Sequence, residues 1–228
     1  MVESVAIPAS IKLFYFDLPG WAEATRLMFK LSGIPFEDVT FSHEEWPKFK
    51  PNMPFGQVPV LEVDGQQLAQ TAAIERYVAK LTGMYPDDPW QAAKGEELRC
   101  YCVECFELFN SARAIKDPEQ QAAARRAVVD GPLQAKLAKL NEVLGALGPD
   151  TFVAGSKDVT VFDLPIFVIL SFLCSGFFLG IPKDLLQPFP GLVAYHDRIA
   201  RLPGIQAVYE GVTQGPRLAF KVGGVGAA

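Results

Sequence analysis

Three short stretches of this chain carry groups that could act together on a small peptide. Tyr15 stands near the end of Ile11-Lys12-Leu13-Phe14-Tyr15-Phe16, just ahead of Asp17-Leu18-Pro19-Gly20. An unperturbed phenol titrates at about 10, so it is protonated at neutral pH and can donate a hydrogen bond. The second stretch is Met53-Pro54-Phe55-Gly56-Gln57-Val58-Pro59. Pro59 opens a strand-like run and cannot donate to a ladder, so it marks an edge or a backbone irregularity. A cis Val58–Pro59 bond would leave the Val58 amide and carbonyl unpaired within the sheet, where an extended peptide could bind as an added strand. A trans bond would make it an ordinary loop proline, and local sequence leaves both open. The third stretch is Gln70-Thr71, at the start of a helical run. The free amides and positive dipole end of a helix suit a carboxylate, with the Thr71 hydroxyl as a second donor. Thr71 capping its own helix is the plainer reading, and both can hold.

These groups need a scaffold, and the pattern around them supplies one. Residues 11–16 alternate as a strand, residues 22–31 read as an amphipathic helix ended by Gly33, and residues 36–41 read as a second strand. On this pattern Leu27, Met28 and Leu31 share one helix face, with Glu23, Arg26 and Lys30 on others. Val60–Val63 and Gln66–Ala69 flank Asp64-Gly65, a strong hairpin signal, and a helix follows over residues 72–81. A βαβ pair, then a hairpin covered by a helix, is a thioredoxin-like α/β arrangement. Tyr85-Pro86-Asp87-Asp88-Pro89 reads as a linker. Beyond it only helical periodicity recurs, over residues 90–114, 118–147, 160–179 and 192–202, which predicts an all-α C-terminal domain. The boundaries expected are 9–85, a linker 86–92, a helical domain 93–215 and a tail 216–228, whose glycines suggest mobility.

Composition removes several function classes. The 228 residues carry a net charge of -5 and no Lys/Arg-rich run, so no nucleic-acid partner is expected. Two histidines, His43 and His196, stand in unrelated contexts, which argues against a metal site, and read as exposed side chains. Cys100, Cys102 and Cys105 share a helical stretch with no second ligand pair, and with Cys174 they read as reduced thiols used as small hydrophobes. No cysteine stands at the turn after the first strand, which argues against a thiol-disulfide oxidoreductase. Met1–Ser10 lacks the charge and apolar run of a secretory signal. Residues 164–181 are uncharged and approach a membrane span in length, but Pro165, Ser171, Ser175, Gly176 and Gly180 interrupt them. They read as a buried core helix, and no membrane partner is expected.

KLFYFDLPGWAEATRL, EEWPKFKPNMPFGQVPVLEVDG and LAQTAAIERYVAK together resemble the N-terminal domain of cytosolic glutathione transferases, nearest in wording to the sigma class, which includes glutathione-dependent prostaglandin D synthases. Asp158-Val159-Thr160-Val161-Phe162-Asp163 is similar to the family's capping box, in which Thr160 caps the buried helix and Asp163 reaches back. The resemblance implies that Tyr15 is catalytic and donates to the glutathione sulfur. It implies that Trp46 and Lys50 hold the glycine end, with Gly56 and Gln57 beside them. The Val58 backbone, before a family-wide cis-proline, would pair with the cysteinyl part, and Gln70 and Thr71 would bind the γ-glutamyl carboxylate. It further implies a homodimer, with a partner-subunit acid for which Glu104 and Glu107 are the candidates, and a cytoplasmic setting. Glutathione is then a co-substrate; no prosthetic group or metal is implied. Phe16, Leu18, Trp21 and Phe109 are candidate walls of a pocket for a hydrophobic electrophile, or else plain core residues. Trp21 and Pro19 stand where sigma-class arginines are expected, which bears on how the thiol is tuned and on any prostaglandin isomerase activity. The activity expected is conjugation of glutathione to hydrophobic electrophiles. The alternatives are isomerase or peroxidase action on a lipid peroxide, or a weakly catalytic ligand-binding or structural homologue.

Overall fold

The computed structural model describes residues 6–226; the side chain of Phe109 lies outside the described set, as do the first five residues of the expected non-signal N-terminus and the last two of the tail. The chain divides into two compact units, residues 1–86 and 87–228.

In the first unit, strand β1 (Ile11–Phe16) buries Ile11, Leu13 and Tyr15 and turns Lys12, Phe14 and Phe16 the other way, as its period of two requires. A short 3₁₀ turn (Gly20–Ala22) leads into helix α1 (Glu23–Ser32), which Gly33 ends at φ 71°. Strand β2 (Glu37–Phe41) pairs parallel with β1. A single turn, α2 (Trp46–Phe49), and a loop carry the chain to β3 (Val60–Val63) and β4 (Gln66–Ala69). Asp64 and Gly65, at φ 48° and 80°, form the hairpin turn expected of an Asp-Gly pair. The sheet order is β2-β1-β3-β4, mixed in sense, and helix α3 (Thr71–Thr82) packs against α1. This is the thioredoxin-like α/β arrangement expected.

One expectation about α1 is corrected. Glu23 and Arg26 do not face solvent: Ala22 through Phe29 is a continuous buried run, with Glu23 3% and Arg26 6% exposed. The two charges pair with each other across one turn of α1 at 3.0 Å, and Arg26 is paired further with Asp38 of β2 at 2.8 Å, a contact that helix periodicity could not reveal.

The second unit is helical. Helix α4 (Pro89–Asn110) begins inside the stretch expected as a linker. The single helix expected over 118–147 is broken into α5 (Pro118–Val128), a wider turn (Val129–Leu133) and α6 (Gln134–Gly145). Gly131 takes φ -120°, ψ -111°, and Pro132 has no N–H to continue the ladder. Helix α7 (Asp163–Leu173) is buried along its whole length. It stops at Leu173, and Gly176 and Gly180 turn the chain at φ 75° and 86°, so the uncharged stretch makes an 11-residue core helix. Among the described residues no helix is long and apolar enough to cross a membrane.

Asp163 does reach back at the start of α7. Its carboxylate accepts from the Thr160 amide (2.8 Å) and hydroxyl (2.7 Å), and also from the Val153 amide and the Tyr195 hydroxyl. Helices α8 (Pro190–Ala200) and α9 (Pro203–Tyr209) follow. His196 is fully buried, contrary to expectation, between Ser171 (3.0 Å from Nε2) and Asp197 (3.2 Å from Nδ1). The segment beyond Gly215 is packed where its glycines suggested looseness: Phe220 and Val225 are buried, and the Gly223 amide donates to Asp197.

Candidate functional site

The sheet register brings the three chemistry-bearing stretches to one end of the first unit. The ladders end at Phe14 opposite Val60 and at Val60 opposite Ala69. One residue further along each chain stand Tyr15, Pro59 and Gln70. Neighbouring strands lie about 4.8 Å apart, so the outer members of this row are separated by roughly 10 Å. An extended tripeptide spans about the same distance.

Tyr15 is 6% exposed. Its hydroxyl oxygen accepts from the Trp21 amide at 3.1 Å, in the short turn that precedes α1. Gly20 makes this approach possible. At φ 47°, a Cβ there would lie 2.6 Å from the Tyr15 hydroxyl and 2.8 Å from Leu18 Cδ1. Beneath the turn lies Arg26, with its guanidinium carbon 5.8 Å from the Tyr15 ring centre. Arg26 donates to the backbone carbonyls of Phe16, Leu18 and Pro19, to Glu23 at 3.0 Å and to Asp38 at 2.8 Å. Burial pulls this guanidinium down, but the Glu23 and Asp38 carboxylates more than offset it, so it titrates above the usual arginine value.

The Val58–Pro59 bond is cis, one of the two possibilities left open by sequence. Because β3 begins at Val60, the Val58 backbone lies outside the ladder. Lys50 lies along Gly56: a Cβ on Gly56, at φ 55°, would sit 3.4 Å from Lys50 Cε. Trp46 stacks on Phe41, 5.7 Å between ring centres, and meets Phe16 edge-on. Gln57 and Lys50 are exposed, and Trp46 and Gly56 are half-buried. Gln70, not Thr71, is the N-cap residue of α3, and it makes no side-chain capping bond; the Thr71 cap is corrected accordingly. Gln70 adopts φ 74°, ψ 116°, a conformation rare outside glycine, and such outliers concentrate at ligand-binding positions. With no side-chain cap, the first amides of α3 remain available to a carboxylate.

The candidate pocket residues are not equivalent. Leu18 and Trp21 belong to the turn beside the Tyr15 hydroxyl. Phe16 points to the opposite face of β1 and stacks on His43, 4.3 Å between ring centres. Phe109 falls on α4, and its side chain lies outside the described residues. Of the acid candidates, both on α4, Glu104 is ion-paired with Lys136 at 2.7 Å and Glu107 is exposed. The buried thiols are held protonated by desolvation, with Cys105 pushed up to about 11 and Cys174 to about 12.

Sequence reasoning missed Gly20, Arg26 and Asp38. The signal for Arg26 was faint: an arginine inside a helix whose immediate neighbours, Thr25 and Leu27, fit a buried run. Gly20 read as a generic turn residue because its contact with Tyr15 is through space.

The fold agrees with the comparisons. Residues 11–80 match the glutathione S-transferase N-terminal domain model and residues 106–210 match the C-terminal domain model of the same family. The hematopoietic prostaglandin D synthase of Gallus gallus is 35% identical over 197 residues, covering 86% of this chain and 93% of the relative. Glutathione S-transferase 1 of Ascaris suum is 34% identical over 199 residues, with coverage of 86% and 93%. The solved structure of rat hPGDS complexed with a quinoline superposes with a TM-score of 0.79 at 28% identity, covering 91% of this chain and 99% of that one. The chain is thus matched along nearly its whole length by one group of transferases. The chain belongs to the glutathione S-transferase family and is a glutathione transferase.

Proposed function

We propose that Tyr15 is the thiol activator of this transferase and that the Tyr15–Pro59–Gln70 row is where glutathione lies. The observation that carries the reading is the seating of Tyr15: a buried phenol at the end of β1, its oxygen held by the Trp21 amide at 3.1 Å. A hydroxyl both accepts and donates. With the acceptor side directed by Trp21, the donor side meets the glutathione sulfur in the complex. The γ-glutamyl carboxylate takes the amides at the start of α3 with Gln70 and Thr71, the cysteinyl backbone pairs with Val58, and Trp46, Lys50, Gly56 and Gln57 hold the glycine end.

The energetics are modest. A free thiol titrates at about 8.5, and lowering that by about two units requires about 2.7 kcal/mol of preference for the thiolate. One hydrogen bond to a charged partner contributes about 1.5–3 kcal/mol. The thiol proton passes to solvent, and the thiolate then attacks an electrophilic carbon held against Leu18 and Trp21, forming the C–S bond as the bond to the leaving group, chloride in a chloronitrobenzene, breaks. We further propose a sigma-like homodimer acting in the cytoplasm. Phe55, 66% exposed, is a surface aromatic that a subunit interface would cover.

The test is conjugation of glutathione to a chloronitrobenzene-type electrophile. Tyr15→Phe is expected to remove most of the rate while leaving glutathione binding close to that of the unaltered protein. Full retention of rate in Tyr15→Phe would overturn the assignment. A second reading, glutathione-dependent isomerisation of a lipid peroxide, is favoured by the relatives named prostaglandin D synthase. It would register as product formed without net consumption of glutathione.

A further inference from the structure

We infer that Arg26 is a positioning residue for Tyr15, its guanidinium holding the turn between β1 and α1 in the shape that sets the Trp21 amide on the phenol oxygen. The inference rests on Tyr15 being the thiol activator. In the turn the Leu18 amide donates to the Phe16 carbonyl at 2.8 Å and the Asp17 amide to the Phe41 carbonyl at 3.4 Å, Pro19 has no N–H and Gly20 adds no side chain. Arg26 enters from below, out of α1, and contacts the turn at three carbonyls: Phe16 at 3.3 Å, Leu18 at 2.8 Å and Pro19 at 3.4 Å. Those three residues span the distance between the Tyr15 strand and the Gly20–Trp21 peptide that touches its hydroxyl.

The fork is itself fixed. Glu23 from the first turn of α1 and Asp38 from β2 hold it from two sides, at 3.0 Å and 2.8 Å. A planar guanidinium with five donors can serve carbonyls and carboxylates at once, whereas an ammonium has three donors diverging from one point. The Arg26 guanidinium carbon also lies 5.8 Å from the centre of the Tyr15 ring. With Trp21 and Pro19 at positions where arginines were expected beside the tyrosine, this chain reaches the same turn with an arginine from inside the helix.

The test is Arg26→Lys, alone and combined with Tyr15→Phe, with conjugation followed against pH. Lysine keeps the charge beside Glu23 and Asp38 but cannot span the three carbonyls. The expected result is a fall in kcat of about tenfold to a hundredfold, the range for a reacting group misplaced by up to about 1 Å. The apparent pKa of kcat/KM should rise by about one unit, and KM for glutathione should change less than about threefold because the Gln70–Thr71 end is untouched. In the Tyr15→Phe background Arg26→Lys should cost little more, since both act through one hydroxyl. Equal fold-losses in both backgrounds with an unmoved pH profile would make Arg26 part of the scaffold only and overturn the inference. Tyr15→Phe at full rate would overturn it together with the activator assignment, and that single variant distinguishes the two failures. Should Arg26→Lys not fold, Asp38→Asn loosens the same fork at its more exposed end. A smaller shift in the same direction is expected there, and an unchanged pH profile in folded Asp38→Asn would again overturn the inference.

Discussion

Replacing Gly20 by alanine should damage catalysis through one methyl group. The added carbon would lie 2.6 Å from the Tyr15 hydroxyl oxygen and 3.0 Å from Cε1 of the same ring. Ordinary contact begins near 3.4 Å, so the phenol oxygen must retreat by about 0.8 Å or the turn must open. Either movement weakens the Trp21 contact and shifts the donor from the place opposite the sulfur that the proposed activation gives it. A hydrogen bond to a charged partner contributes about 1.5–3 kcal/mol, and each 1.36 kcal/mol is tenfold in rate, so kcat/KM should fall by about ten- to a hundredfold. The backbone adds a separate cost, because alanine at φ 47° forfeits about 1–2 kcal/mol of stability, worth about 2–8 °C in Tm for a chain of this size. Gly65→Ala separates the two effects. It sits at φ 80° with nothing within 4 Å, so it should lose comparable stability and keep its rate. The assay is steady-state conjugation beside thermal unfolding for both variants. Wild-type kcat/KM in Gly20→Ala, or an equal rate loss in Gly65→Ala, would refute the reasoning.

Two further outcomes follow from local geometry. Gln70→Gly relieves a backbone conformation that costs about 1–3 kcal/mol and gives back about 0.5–1 kcal/mol in chain entropy, so denaturant unfolding should show a gain on the order of 1 kcal/mol. The same variant should raise KM for glutathione with kcat little changed, and a loss of stability would show that Gln70 is not strained. Asp197 carries the third prediction. Burial pushes its carboxyl up, but His196, the Gly223 amide and Arg201 outweigh this and hold it below the usual carboxylate value. A carboxyl depressed in the folded state lends stability above its unfolded value of about 3.9, and that stability is lost as pH falls through the folded value. Asp197→Asn should therefore lower urea midpoints near neutrality and flatten their decline below about pH 4; parallel curves would sink the assignment.

What could be read from the chain tracked the range of the interaction involved. The Asp64-Gly65 turn, the Gly33 helix end and the Asp163 reach-back to Thr160 are each set within four residues or fewer, and local sequence exposes them directly. The break at Gly131–Pro132 was present as residues, yet the hydrophobic repeat runs through it because Val129 before the break and Leu133, Leu137 and Leu140 after it are all inside at helical spacing. Arg26 and His196 defeated the same kind of reading. Each is polar on a periodic element, which implies solvent, and each is compensated from a distant segment: Asp38 for one, Ser171 for the other. Tyr15 could be placed at a strand end, but its hydroxyl partner in the next turn depends on Gly20 taking a left-handed conformation, which a Pro-Gly pair suggests without specifying.

The row formed by Tyr15, Pro59 and Gln70 has a consequence for how this scaffold can change its diet over evolutionary time. The distance between its ends is an integer multiple of a lattice constant, the strand separation, and strands cannot be moved apart by a fraction without tearing the ladder. With glutathione lying along the row as proposed, ligand length is therefore quantised here. A shorter peptide anchored at Gln70 would stop short of the phenol, and a longer one would have to buckle or leave the sheet edge. Substitutions in the turn or the helix start can retune how tightly the two ends grip, but a new span requires a strand inserted or removed. Diversification is thereby pushed away from the peptide and onto whatever meets its sulfur.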